Sequence, residues 1–226
     1  MYQDKVTDIF FDLDHTLWDF EKNSEITFNL IFEKHNIKLD VNAFMKVYKP
    51  INFKYWFMYR NNEIDTITLR FNRLKEVFDN LSFKADSTLI NMISDEYIKY
   101  LSQQIHLFPN TEEILIYLSD KYRLHIITNG FEIIQHKKLK SSKINHFFKT
   151  VTTAEGSGFK KPDKRIFKYA IKKANADISK SMMIGDSLEA DIKGAKDFGM
   201  HTIYFGKKPK FDTRSVEKLN DLKSLL

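Results

Sequence analysis

The chain has no cysteine in 226 residues. That excludes disulfides, thiolate metal centres and a cysteine nucleophile. Glycine is informative by its distribution: all seven lie between Gly130 and Gly206, and none occurs before them. Proline is scarce as well, with only Pro50 between Asp14 and Leu107. Glycine supplies tight turns of positive φ, so a long stretch without it is expected to be helical. No apolar run approaches ~18 residues, so no membrane-spanning helix is expected. The first residues carry acids and no long apolar segment, which argues against a secretory signal. A soluble, cytoplasmic protein is the expectation. Arginine is also rare, at 6 of the 36 basic residues. The net charge of +6 would suit a nucleic-acid polymer, yet recognition of phosphate backbones and base edges leans on guanidinium forks. The lysines are interleaved with acids, except in Lys137-Lys138-Leu139-Lys140 and Lys207-Lys208-Pro209-Lys210. They read as a solvated surface, with no nucleic-acid partner.

What is present has two textures. Ile26, Leu30, Ile31 and Ile37 form one apolar series at helical spacing. Leu69, Leu74, Val77 and Phe78 form a second, and Leu89, Ile90, Ile93 and Tyr97 a third. Residues 18–104 therefore read as four or so helices, with Pro50 at or near a break. On either side the pattern is of strands and helices in alternation. Residues 6–11 are a short β-branched and aromatic strand. Pro109-Asn110-Thr111-Glu112-Glu113 has the Asn-x-x-Glu spacing of a capping box. Residues 123–128, 149–153, 181–184 and 201–205 read as strands. Pro162 opens a helix carrying Ile166, Phe167, Ala170, Ile171 and Ala174 on one face. Another, with Leu188, Ile192 and Ala195, closes at Gly199. Val216, Leu219, Leu222 and Leu226 suggest a terminal helix. The alternation predicts an α/β fold, a parallel sheet covered on both faces. Residues 1–17 and 105–226 form that core, and 18–104 is a helical insertion.

The polar residues gather where strands end, which is where open parallel sheets bind ligands. Asp12 and Asp14 close the first strand. Side chains at i and i+2 lie on one face of a strand, and two carboxylates at 4 Å repel by roughly 4 kcal/mol at an effective dielectric of about 20. A shared proton, a cation or both must compensate; the plainer alternative is an Asp capping a turn. Thr128-Asn129-Gly130 ends a second strand, and Lys161-Pro162 follows a third through a loop containing Gly156 and Gly158. Gly185-Asp186-Ser187 ends a fourth, with Asp191 five residues past Asp186. Taken singly, these are a turn, a solvated lysine and a helix cap. Together, four carboxylates, a hydroxyl and a lysine fit Mg²⁺ with a phosphate group.

In order and spacing, Asp12-x-Asp14-x-Thr16, Thr128-Asn129-Gly130, Lys161-Pro162 and Gly185-Asp186-Ser187-x-x-x-Asp191 resemble the four motifs of the haloacid dehalogenase superfamily. The resemblance runs nearly the whole chain and includes the insertion, which resembles that superfamily's helical cap. Asp14-His15-Thr16-Leu17-Trp18-Asp19-Phe20 and Thr128-Asn129-Gly130-Phe131 resemble the pyrimidine 5′-nucleotidases in particular. His15 departs from the pattern, standing where many relatives have glycine. The resemblance implies a Rossmann-like core and roles residue by residue. Asp12 would attack phosphorus and Asp14 would serve as acid and then base. Mg²⁺ would be held by the Asp12 carboxylate, the Asp14 backbone carbonyl and Asp186, with Asp191 orienting the ligands around it. Thr128, Asn129 and Lys161 would bind the phosphoryl group. The substrate would be a small phosphomonoester, first a pyrimidine nucleoside 5′-monophosphate. The alternatives are phosphoglycolate, a sugar phosphate or a broad range; a non-catalytic binding protein is a third reading.

Aromatic residues crowd the insertion at Phe53, Tyr55, Trp56, Phe57 and Tyr59, with Trp18 just past the first motif. Stacking on a nucleobase is worth about 1–3 kcal/mol per base in single-strand binders. This makes Trp18, Trp56 and Tyr59 candidates for substrate choice, against the alternative of plain core packing. The remaining histidines show no metal-ligand spacing, and a monomer or weak homodimer is expected.

Overall fold

The computed structural model describes residues 5–210 and 213–226; positions 1–4 of the expected core segment and 211–212 lie outside them. The chain forms two compact units, Met1–Phe20 with Ile105–Leu226, and Glu21–Gln104. No helix among the described residues is long and apolar enough to cross a membrane.

Strand β1 (Asp8–Phe11) is buried along its whole length. The helices that follow are α1 (Phe20–Lys34), α2 (Val41–Arg60), α3 (Thr66–Asn80) and α4 (Ser87–Leu101). Asp40, Asp65 and Asp86 start the last three by accepting from Ala43, Thr68 and Leu89 amides at 2.6, 2.7 and 2.8 Å. Such caps are each worth about 1 kcal/mol. The turns after α1, α2 and α3 do reach positive φ, at Asn36 (52°), Asn62 (61°) and Ser82 (52°). Small polar residues, mostly Asn, thus supply the left-handed turns that glycine would supply elsewhere.

Pro50 lies inside α2, and the expected break is absent. A proline removes one helical hydrogen bond. Here Val41, Phe44, Met45 and Tyr48 before it, and Ile51, Asn52 and Tyr59 after it, are all buried and carry the helix through. The unit's core is aromatic, with Phe28 stacked on Tyr97 at 4.5 Å and packed against Phe44 at 4.6 Å.

The α/β unit continues with α5 (Thr111–Ser119), β2 (Arg123–Thr128), α6 (Glu132–Ser141) and β3 (Phe148–Thr153). Then come α7 (Ala154–Ser157), α8 (Lys164–Ala174), β4 (Ser181–Gly185), α9 (Gly194–Phe198), β5 (His201–Phe205) and β6 (Ser215–Val216). The sheet order is β3-β2-β1-β4-β5-β6, and every pairing is parallel. The chain builds outward from β1 through β2 to β3, then returns to place β4 on the other side of β1. That reversal is the switch point at which open α/β sheets leave a crevice.

Three local expectations differ. Asn110 does not cap α5 through its side chain; it sits at φ 65° and its amide donates to Glu113 at 3.1 Å. Residues 188–193 are π-helical rather than α-helical, because the Asp191 and Ile192 amides both bond the Ser187 carbonyl, at 3.0 and 3.1 Å. The chain end is not an α-helix. Val216 pairs with Phe205 in β6, and Leu219 and Leu222, three apart, face inward from a 3₁₀ segment. A spacing of three suits that tighter helix.

At the start of β1, Asp8 is fully buried. It is held by His125 Nε2 at 3.0 Å, Arg123 Nη2 at 2.8 Å and the Thr7 hydroxyl at 2.7 Å. Burial works to raise its pKa, but these donors outweigh it and hold the carboxyl below its ordinary value. A depressed carboxyl contributes stability above its unfolded pKa and loses that contribution as pH falls through the folded one. Asp8→Asn should therefore cost roughly 3 kcal/mol at neutral pH. The gap between wild type and variant should shrink below about pH 4. Urea unfolding at pH 7 and pH 3 checks both; a gap that does not narrow would refute the assignment.

Candidate active site

The site grows out of the carboxyl ends of β1, β2 and β4. Asp12 follows β1 directly, its amide bonded to the Ile184 carbonyl of β4 at 2.9 Å. Facing it is the Lys161 ammonium, 2% exposed, which donates to Asp12 Oδ1 at 2.6 Å and to the Ile127 carbonyl at 2.7 Å. It also pairs with Asp191 Oδ1 at 2.6 Å. Burial opposes the lysine's charge, but the two carboxylates outweigh burial and hold its pKa above the ordinary value. The lysine backbone is clamped by Asn129, whose amide donates to the Lys161 carbonyl at 3.0 Å while its oxygen accepts from the Lys161 amide at 2.7 Å. The Asn129 side chain thus meets the lysine backbone at both ends.

Asp186 closes the cluster. The Thr16 hydroxyl accepts from its amide at 3.1 Å and lies 3.3 Å from Asp186 Oδ1 and 3.5 Å from Asp12 Oδ2. Asp191, 1% exposed, turns inward from the π-helical segment and accepts from the Ser187 amide at 3.0 Å. Gly185 makes this approach possible: a Cβ there would lie 2.3 Å from Asp191 Oδ2. Asp12, Asp186 and Asp191 each bring a carboxylate oxygen within 4.8 Å of the others. Burial, with Asp191 and Asp186 adding to it and Lys161 opposing, pushes Asp12 up to about 8. Burial and Asp191 push Asp186 up to about 7. Three hard oxygen donors, crowded and disfavoured as anions, suit a small divalent cation such as Mg²⁺.

Asp14 belongs to a separate group. Its Oδ1 accepts from Lys138 at 2.6 Å and its Oδ2 from the Gln135 amide at 2.8 Å. The same Gln135 nitrogen donates to the Thr128 hydroxyl at 2.7 Å. His15, between the two aspartates and the Thr16 hydroxyl, takes φ 65°, so the turn adopts the left-handed backbone that glycine would favour even with histidine there.

The Lys137–Lys140 run does not behave uniformly as solvated surface. Lys138 is buried, because its ammonium lies 4.3 Å from the Trp18 ring centre and pairs with Asp14. Thr16, Gln135 and Lys138 are the site residues to which the sequence reading gave no role. Trp18 is 0% exposed and offers no face to a base. Trp56 and Tyr59 belong to the helical unit, where their rings meet edge to face at 5.6 Å; Tyr59 is buried and Trp56 half-buried.

The family model of haloacid dehalogenase-like hydrolases matches residues 9–205. The HAD-hydrolase YfnB of Bacillus subtilis (strain 168) is 29% identical, over 96% of this chain and 94% of that protein. A magnesium-bound crystal structure of YfnB aligns with a TM-score of 0.88 at 27% identity, over 98% of each chain. The pyrimidine 5′-nucleotidase YjjG of Escherichia coli (strain K12) is 27% identical, over 96% of both chains. The glyceraldehyde 3-phosphate phosphatase of Pyrococcus abyssi is 32% identical, over 95% of this chain and 91% of that protein.

The close approach at Gly185 is testable by stability alone. Gly185→Ala should cost about 2 kcal/mol through overpacking against Asp191. In an Asp191→Ala background the same substitution should cost far less, since contacting residues couple. Equal costs in the two backgrounds would show that the glycine is there for another reason.

Proposed function

The chain belongs to the haloacid dehalogenase-like hydrolases and hydrolyses phosphoric monoesters, and from that premise we propose a Mg²⁺-dependent phosphatase that acts through an aspartyl-phosphate on pyrimidine nucleoside 5′-monophosphates. The observation that carries the chemistry is the convergence of Asp12, Lys161, Asp186 and Asp191 at the β1/β4 switch point. Asp12 attacks phosphorus as the bond to the leaving oxygen breaks, and Asp14 gives that oxygen a proton. Water then attacks the phosphoryl group, Asp14 takes a proton from it, and phosphate leaves with Asp12 restored. Thr128 and Lys161 face the phosphoryl oxygens, and Asn129 serves by fixing the Lys161 backbone. Asp12, Asp186 and the Asp14 carbonyl would hold Mg²⁺, with Asp191 beside them, and the ion would supply positive charge against the phosphoryl oxygens.

The helical unit, Glu21–Gln104, sets substrate choice in this reading, and Trp56 or Tyr59 contacts the base. Similarity to YjjG along the whole chain supports the nucleotide class. A second reading, a phosphatase of a small sugar-type phosphate, is supported by similarity to the glyceraldehyde 3-phosphate phosphatase. The protein acts as a monomer or weak homodimer.

Hydrolysis of an aryl phosphate should require Mg²⁺ and stop with chelator. Mg²⁺ should also raise the melting temperature of wild type but not of Asp186→Asn, a readout independent of turnover. Asp12→Asn should abolish turnover with the fold intact, and Asp14→Asn should slow it by roughly 10²-fold or more. Full activity in chelator, or a phosphoryl group trapped elsewhere than on Asp12, would overturn the mechanism.

For the substrate, kcat/KM on uridine monophosphate should exceed that on phosphoglycolate or glyceraldehyde 3-phosphate. Trp56→Ala should erode that preference by roughly tenfold, about 1.4 kcal/mol. Equal kcat/KM across the panel would favour a broad-range phosphatase instead.

A further inference from the structure

Lys138 is an anomaly for a lysine on a helix of an α/β protein. It is 3% exposed, and among the described residues its ionic partner is Asp14, with Nζ 2.6 Å from Oδ1. Its ammonium lies 4.3 Å from the centre of the Trp18 ring and 5.5 Å from that of Phe20. Burying an ammonium is costly unless it is paired, and aromatic faces recover only part of that cost. The arrangement holds a cation at one defined point, against one carboxylate oxygen.

The other oxygen of Asp14 is fixed as firmly. Gln135 is 0% exposed, and its amide nitrogen donates to Asp14 Oδ2 at 2.8 Å and to Thr128 Oγ1 at 2.7 Å. Gly130 makes room for it, since a Cβ there would lie 2.4 Å from the Gln135 amide. The glycine of Thr128-Asn129-Gly130 is thus needed for the close approach of Gln135. The Thr128 oxygen also accepts from the Gly130 amide at 3.1 Å. With two donors already aimed at that oxygen, its own hydrogen is left to point elsewhere as a donor.

We propose that Lys138 is a positioning residue for Asp14. With Gln135 it fixes the place and plane of the carboxylate that must deliver a proton to the leaving oxygen and later take one from water. This deepens the reading under Proposed function and rests on Asp14 being the acid–base group there. One donor on each oxygen sets both the position and the rotation of a planar carboxylate while leaving lone pairs free for the proton in flight. Misplacing a catalytic group by about 1 Å can cost on the order of 10²-fold in rate. Gln135 couples the same support to Thr128, so the proton donor and the phosphate-facing hydroxyl share one backing.

The test is the leaving-group dependence of kcat/KM on the full-length, Mg²⁺-loaded enzyme. This parameter reports the steps up to departure of the leaving group. Dinitrophenolate leaves without a proton, whereas phenolate leaves far better with one. Lys138→Met should lower kcat/KM on phenyl phosphate by roughly tenfold or more, while leaving 2,4-dinitrophenyl phosphate nearly unchanged. Lys138→Arg should recover much of the loss. In an Asp14→Asn background Lys138→Met should cause no further loss on phenyl phosphate. Equal losses on both substrates, or a rise in KM common to both, would make Lys138 a structural or substrate-binding residue and overturn the proposal. If Lys138→Met does not fold by thermal melting, Lys138→Gln carries the same comparison. Asp14→Asn run alongside separates the two levels. If its own loss is the same on both substrates, Asp14 is not the acid and the mechanism above fails. If its loss is leaving-group selective and that of the lysine variant is not, only the positioning role fails.

Discussion

The Lys161 ammonium is the constraint on which the site depends. It donates to Asp12 and to the Ile127 carbonyl and forms an ion pair with Asp191, all at 2.6 to 2.7 Å. These come from the end of β1, the segment after β4 and strand β2, so one buried charge ties together three segments that are remote in sequence. Breaking a buried pair by removing one partner typically costs about 3–5 kcal/mol, because the other charge is stranded. Much of the surrounding sequence makes sense as support for this lysine. Asn129 holds its backbone, Gly185 admits Asp191, and the π-helical segment turns Asp191 inward.

The two aspartates of the first motif show how the crowding is resolved. Close carboxylates demand a proton or a cation. Each of them meets a different lysine: Asp12 pairs with Lys161, which Asp191 shares, and Asp14 pairs with Lys138. Two residues apart in sequence, they occupy different electrostatic surroundings. Asp12 still faces Asp186 and Asp191, and that unbalanced negative charge is what a divalent cation would answer. Asp14 lies apart from that cluster, and its oxygens are held by hydrogen bonds from Lys138 and Gln135.

Elements with an apolar signal were legible in the sequence. Strand β2 is the run Arg123–Thr128 as read, and α8 carries the expected stripe of Ile166, Phe167, Ala170, Ile171 and Ala174. The face of α6 was not legible, for a physical reason. Its buried residues are Gln135, Lys138 and Leu139, at i, i+3 and i+4. The helical period is present, but two of its three positions are polar, so a search for apolar periodicity passes over it. The lysine run disguised it further. The π-helical segment was missed because Leu188, Ile192 and Ala195 fit an α-helix equally well. What widens that turn is the Ser187 carbonyl accepting two amides, and no residue type announces that. Pro50 misled in the opposite direction, since burial on both sides of it outweighed one lost hydrogen bond.

Strand β1 carries a buried carboxylate at each end, and the two are shifted in opposite directions. Asp8 is held below the ordinary carboxylate range and Asp12 is pushed above it, although burial acts in the same sense on both. The difference lies in the neighbours. Asp8 meets only donors, from His125, Arg123 and Thr7, whereas Asp12 shares its one lysine with Asp191 and faces Asp186 as well. Ile9, Phe10 and Phe11 between them are fully buried and fix both ends rigidly. One end of the strand therefore stabilises the fold at neutral pH, while the other holds anions in a place where they are disfavoured. Asp12 keeps Oδ1 on Lys161, while its Oδ2 meets the Thr16 hydroxyl at 3.5 Å, a long contact that leaves this oxygen to react with, or bind, what enters the crevice. The satisfied network at the base of the sheet helps such a site to persist, because the strand that presents Asp12 is anchored by interactions that do not depend on it.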